Sequence, residues 1–342
     1  MTLERTAKEG NVEGDFCANL DLLRLLAVAA VVWIHSMETQ TLQDWSRWCR
    51  FAVPAFTATS VLLLVWRHGG DPAKELWGYV KRRGARIYLL FLLWNCIYAV
   101  IRFGEHSVIK GGDTLRWSPA TFFLSGFTEQ LWFLPFLVVV TVLVAVPAFF
   151  WTRMGPKAWL LSMLLTTAGV AMALLPSPII MDFKVNPASY WFVLSWRAIP
   201  AALMVFGILP FCNRIKLKSS RPLLALTMVF VAAILLCRSS YGDDLFLLQN
   251  AAGVILVLAA VLGPSPSHFK PMFRMLGGLA LPVYLIHVLF VHAVQAVGHR
   301  VAHLPVSMSF DAAVFFMGLV GSGLAAWLLK KIPGLKWLVT MG

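Results

Sequence analysis

The 342 residues are 59% apolar (AVILMFWYC) and only 13% charged, with a mean hydropathy of +0.76. Soluble globular chains carry about 45–50% apolar and about 25% charged residues, so this composition excludes a soluble domain, a disordered chain and a fibre. The 29 Lys+Arg outnumber the 16 Asp+Glu, for a net charge of +13; in a membrane protein this excess marks cationic cytoplasmic loops, and no nucleic acid is expected as a partner.

The chain opens with Glu4, Glu9, Glu13 and Asp15 against Arg5 and Lys8. A secretory signal needs a cationic start and a small-residue cleavage site. Residues 1–18 therefore read as a cytoplasmic tail, and the first apolar run as a retained span. Apolar runs bounded by charge or turn residues lie at 19–37, 48–66, 87–102, 131–151, 158–176, 191–211, 222–237, 245–262, 278–298 and 310–329. Pro54, Pro135, Pro147, Pro200 and Pro282 fall within them, and membrane helices tolerate proline. The expected fold is an all-α polytopic membrane protein of about ten transmembrane helices in the lipid bilayer. Its transmembrane domain covers 19–329, and a cytoplasmic tail covers 330–342. Ten spans put both termini on one side, which collects nineteen of the 29 basic residues. The positive-inside rule makes that side the cytoplasm. Cys17, Cys49, Cys96, Cys212 and Cys237 are scattered and form no CxxC pair, so neither a disulfide framework nor a metal site is expected.

Ionisable residues inside spans are costly, and each is a functional candidate. The first span, LDLLRLLAVAAVVWIHS, holds Asp21, Arg24 and His35. Eleven residues at 100° each bring Arg24 and His35 within about 20° on one face, separated by about 16 Å along the axis. Such a stripe should face the bundle interior or a water-filled cavity. Val28 and Val31 share that face and are expected to line a wet path, with Ala30 pointing away. The alternative is that Asp21 and Arg24 form an interfacial ion pair and His35 sits among headgroups. At 81–86 the sequence is KRRGAR. Arg83 and Arg86, at i and i+3, suit a two-guanidinium phosphate clamp, but spacing alone favours ordinary topology-setting charge. The outward loop 103–130 holds Trp117, Phe122, Phe123 and Phe127, as an interfacial anchor or a lid. Glu129 and Gln130 precede LWFLP, Arg197 lies inside the sixth run near its outer end, and His287 follows Tyr284 by three residues in PVYLIH.

Together these segments resemble the integral-membrane acyltransferase 3 family, which acylates sugars and envelope glycans. DLLRLLAVAAVVWIH is similar to its first-span pattern, with an Arg followed eleven residues later by a His. FAVPAFTATSVLLL resembles its second span, which ends in Ser-Gly, although Val61 follows Ser60 here. RRGAR resembles the family's Arg-x-x-Arg motif, and PVYLIHVLF its late Tyr-x-x-His motif. LWFLPFLVVV resembles the segment of fucose 4-O-acetylase-like and surface-polysaccharide O-acyltransferase members, with Gln130 where many have a His.

The resemblance implies an O-acyltransferase of a bacterial inner membrane. It moves an acyl group from acyl-CoA, with acetyl-CoA the expected donor, to a hydroxyl of a carbohydrate or glycan acceptor. His35 is the implied base, since a histidine near its ordinary pKa suits proton removal at neutral pH. A covalent acyl-His35 intermediate fits the sequence equally well. Arg24 and Asp21 complete the catalytic group. Arg83, Arg86, Tyr284 and His287 are expected at the donor, and Glu129, Trp132, Arg197 and Ser60 at the acceptor. No permanently bound cofactor is expected. An ion-coupled transporter or flippase for an envelope precursor is the rival, because buried Asp, Arg and His also mark ion paths. Paired repeats would favour it, and the sequence shows none.

Overall fold

Each of the ten apolar runs overlaps a helix in the computed structural model, which describes residues 10–109, 119, 121–128, 130–174, 198–210, 222–239, 246–263 and 267–339. Among the described residues there is no strand. In chain order the helices are α1 (Gly10–Ser36), α2 (Gln40–Ser46), α3 (Ala52–His68), α4 (Ala73–Ile109), α5 (Phe133–Arg153) and α6 (Ala158–Leu174). There follow α7 (Ala198–Gly207), α8 (Pro222–Ser239), α9 (Phe246–Leu262), α10 (Lys270–Gly277), α11 (Ala280–Ala296) and α12 (Met308–Lys331). Seven of the described helical stretches are long and apolar enough to cross a membrane, and α7, α8 and α9 contribute shorter apolar segments.

Apolar side chains surround these helices on most sides, so sequestering the backbone from lipid fixes the helical state. Hydroxyls inside the spans bond back to their own helix: Ser36 to the Val32 carbonyl at 2.7 Å, Thr141 to Leu137 at 2.7 Å, and Ser322 to Gly318 at 2.6 Å. α12 begins at Ser307, whose hydroxyl accepts from Phe310 N at 3.2 Å, and ends on Lys330 and Lys331, where cations meet the helix C-terminus.

α1 packs against α3, α9, α10, α11 and α12, which makes the span that carries Asp21, Arg24 and His35 the hub of the bundle. Glycines set the closest approaches. A Cβ on Gly277 would lie 2.3 Å from Asp21 Cβ, and one on Gly253 would lie 2.7 Å from Pro54 Cβ, so α10 meets α1 and α9 meets α3 nearly backbone to backbone. Leu143, Val146, Leu164, Phe230, Phe316 and Leu324 point outward, the expected exposure of a lipid-facing surface.

Two expectations need correction. Val28 and Val31 do not line an open path; both are packed in the core, as Ala30 is. The third span's helix also begins at Ala73, well before its apolar run at 87, so KRRGAR lies on continuous α4. Lys, Arg and Glu are good helix formers, and nothing at 81–86 stops the helix.

Candidate active site

Two polar groups lie along α1, one near its middle and one in its last turn. At the first, Arg24 Nη1 donates to Asp21 Oδ1 at 3.1 Å, as the i, i+3 spacing allows. Arg67, at the end of α3, and Arg274, on α10, act electrostatically on Asp21; Arg67 and Arg83 act on Arg24. Three guanidiniums from three helices thus act on the Asp21 carboxylate, and a fourth, that of Arg83, acts on Arg24. The surplus positive charge attracts an anion. Arg83 is half-buried, and its Nη1 donates to the Tyr79 hydroxyl at 2.9 Å. Arg86 is exposed, about 60° round the helix, so the two arginines face different surroundings.

The second group centres on His35, in the last turn of α1, with its ring 5.3 Å from that of His287 between centroids and tilted by 50°. His35 is half-buried, whereas His287 is 0% exposed behind it. His287 Nδ1 lies 2.8 Å from the Tyr284 carbonyl and 3.2 Å from the Val283 carbonyl. Carbonyl oxygens only accept, so Nδ1 carries the proton and Nε2 keeps a lone pair. That Nε2 is buried without a hydrogen-bond partner. Tyr284 donates its hydroxyl to the Gln130 carbonyl, and its ring packs near Phe133 at 5.8 Å and Phe56 at 6.4 Å. The Gln130 amide is buried beside the Tyr98 hydroxyl without a well-formed hydrogen bond of its own.

Thr57 and Thr59 on α3 are also buried with unpartnered hydroxyls, next to half-buried Ser60. Native interiors leave few polar atoms unsatisfied, so these orphans mark a polar lining within an apolar bundle. Trp132 is 8% exposed and packs against Phe136 at 5.6 Å. Glu129 and Arg197 lie outside the described residues.

Past His35, the bundle end is closed by carboxylates. Buried Asp311 accepts from Thr39 N at 2.9 Å and Thr39 Oγ1 at 2.6 Å, and Glu38 pairs with His299 at 2.7 Å. The sequence reading passed over Arg67, Arg274 and His292, although His292 acts electrostatically on His35. His292 follows His287 by five residues, about 140° round the helix, so spacing does not flag it; the convergence of Arg67 and Arg274 depends on non-local packing.

The architecture is that of a multi-pass membrane protein enclosing a histidine pair at one depth and a cluster of arginines at another. Residues 18–330 match the family model for the acyltransferase 3 domain, described as an acyltransferase domain, and the chain belongs to that family. It is a membrane acyltransferase. No curated protein and no solved structure matches it.

Proposed function

We propose that this enzyme transfers an acyl group, acetyl in the first instance, from acyl-CoA to a hydroxyl of a sugar or cell-envelope glycan in a bacterial inner membrane, with His35 as the base. The observation that carries the reading is the His35–His287 pair. His287 has spent its only N–H on backbone carbonyls, so towards His35 it can only accept. A neutral His35 that offers one N–H to His287 keeps the lone pair of its other nitrogen for substrate. This is the base-plus-orienter logic of nucleophile activation, with the pair tightening once substrate is bound.

His35 removes the hydroxyl proton as the acceptor oxygen attacks the thioester carbonyl. The new C–O bond forms, the C–S bond breaks, and the proton passes from His35 to the departing thiolate. Arg24 and Arg83, together with Arg67 and Arg274, meet the phosphates of the donor. Asp21 holds Arg24 in place. Exposed Arg86 has a smaller part, and Tyr284 shapes the pocket wall. Ser60, Trp132, Glu129 and Arg197 are assigned to the acceptor side.

The test uses the purified full chain in nanodiscs with acetyl-CoA and a panel of hydroxyl-bearing glycans. CoA release that requires a glycan and yields an O-acetyl ester supports the reading. His35→Ala should lower that rate by about a hundred- to ten-thousandfold while the variant still inserts. Near-parental turnover in a well-inserted His35→Ala would remove His35 from the chemistry. An acyl group trapped on His35 with donor alone, labile as an acylimidazole is, would make it the nucleophile instead of the base.

A further inference from the structure

The turn between α3 and α4 reads His68-Gly69-Gly70-Asp71-Pro72, and the end of α5 grips it. Thr152 Oγ1 donates to the Gly69 carbonyl. Arg153 donates from Nη1 to the same oxygen at 3.3 Å and from Nη2 to the Asp71 carbonyl at 2.7 Å, with its guanidinium 3.6 Å from the centre of the Phe149 ring. In the pinned turn, His68 Nδ1 lies 2.8 Å from Asp71 Oδ2. A carboxylate accepts, so His68 donates there and its ring plane is set. That ring stacks on Tyr79, with centroids 3.7 Å apart and planes at 26°. The Tyr79 hydroxyl, one turn before Arg83 on α4, accepts from Arg83 Nη1 at 2.9 Å. Arg83 in turn acts electrostatically on Arg24.

These contacts form a chain of orientation from a loop to a guanidinium. A free arginine samples many rotamers, and fixing it before a ligand arrives removes that cost from binding. Using Tyr79 as acceptor leaves the other guanidinium N–H groups for an anion.

We infer that Tyr79, held by the Asp71–His68 pair, is a positioning residue that presets Arg83 for the phosphates of the acyl donor. This inference rests on the acyl-CoA reading above. Asp71, His68 and Tyr79 stand behind Arg83, at the arginine end of the bundle and away from His35, so their effect should fall on donor binding alone.

Tyr79→Phe keeps the stacked ring and removes the acceptor oxygen. In the full chain in nanodiscs, acetyl-CoA should bind about three- to tenfold more weakly by calorimetry, the range for one ordinary hydrogen bond, because the loss reaches the ligand only through Arg83. The donor KM should rise in step, with the rate at saturating donor and the thermal midpoint unchanged. Adding Tyr79→Phe to Arg83→Ala should cost nothing further, because the two act through one guanidinium. Parental affinity in Tyr79→Phe, additive losses in the double variant, or a loss that tracks a lowered midpoint would each overturn the positioning role. A parental chain with no affinity for acetyl-CoA would overturn the donor assignment and this inference together, whereas a parent that binds it while Tyr79→Phe matches it sinks the inference alone.

Discussion

His287 combines full burial with a ring nitrogen that has no partner, and proteins keep such groups mainly where function needs them. Replacing it with Phe separates the two demands. The ring volume is roughly kept and the unsatisfied nitrogen disappears, so the thermal midpoint of His287→Phe should hold or rise. Turnover should nonetheless fall, because the proposed His35–His287 hydrogen bond, made once substrate is bound, can no longer form. A melting curve beside an acetyl-CoA turnover assay checks both halves. Full turnover with an unchanged midpoint would leave His287 as packing only. At this scale the sequence showed which residues to suspect but not which would meet. His35 and His287 are far apart in the chain, and only the packing of α1 on α11 brings their rings to 5.3 Å. The same holds for Gln130, whose carbonyl receives the Tyr284 hydroxyl.

Helices turned out more legible than residues. Hydropathy located all ten apolar helices because lipid leaves the backbone little choice. The pattern missed α2 and α10, which are short and polar or amphipathic, and it placed the third span's start at the apolar boundary instead of at Ala73. That difference matters for the Arg-x-x-Arg motif. On a continuous helix, Arg83 turns inward to Tyr79 while Arg86 faces out. Arg83→Ala should therefore weaken acetyl-CoA binding by about ten- to a hundredfold, Arg86→Ala by much less, and Arg83→Lys should recover only part, since an ammonium cannot reproduce a guanidinium fork. Equal losses in the two alanine variants, measured by calorimetry, would restore the two-arginine clamp. A second element-level test concerns α10. Gly277→Val puts side-chain atoms where Asp21 already stands, so α10 must move off α1. Overpacking of this kind costs about 1–3 kcal/mol, and it should lower the thermal midpoint and donor affinity together.

Across the whole molecule, the two polar groups are divided by a packed core. Arg24, Arg67, Arg83 and Arg274 lie at one end of the bundle with Arg153 and Lys330, whose side chains bind the carbonyls of Gly69 and Gly278. Glu38, Asp311 and His299 close the other end, and Val28 and Val31 fill the face of α1 between the two. A donor bound at the arginines must reach His35 around those valines or by parting the helices there. On the charge asymmetry, we propose that the arginine end is cytoplasmic. Thiol labelling in a chain freed of Cys17, Cys49, Cys96, Cys212 and Cys237 tests that assignment. Arg82 is exposed at the arginine end and Gln40 at the His35 end. A membrane-impermeant reagent applied to intact cells should modify Gln40→Cys and spare Arg82→Cys, and inverted vesicles should reverse the pattern. The opposite result would place the arginine cluster outside the cell, away from the cytoplasmic acyl-CoA pool. The donor would then have to be an extracytoplasmic acyl carrier. With the assignment as drawn, Val28→Cys should react slowly in the resting enzyme. Faster modification in the presence of CoA would show the bundle opening along the face that joins the two groups.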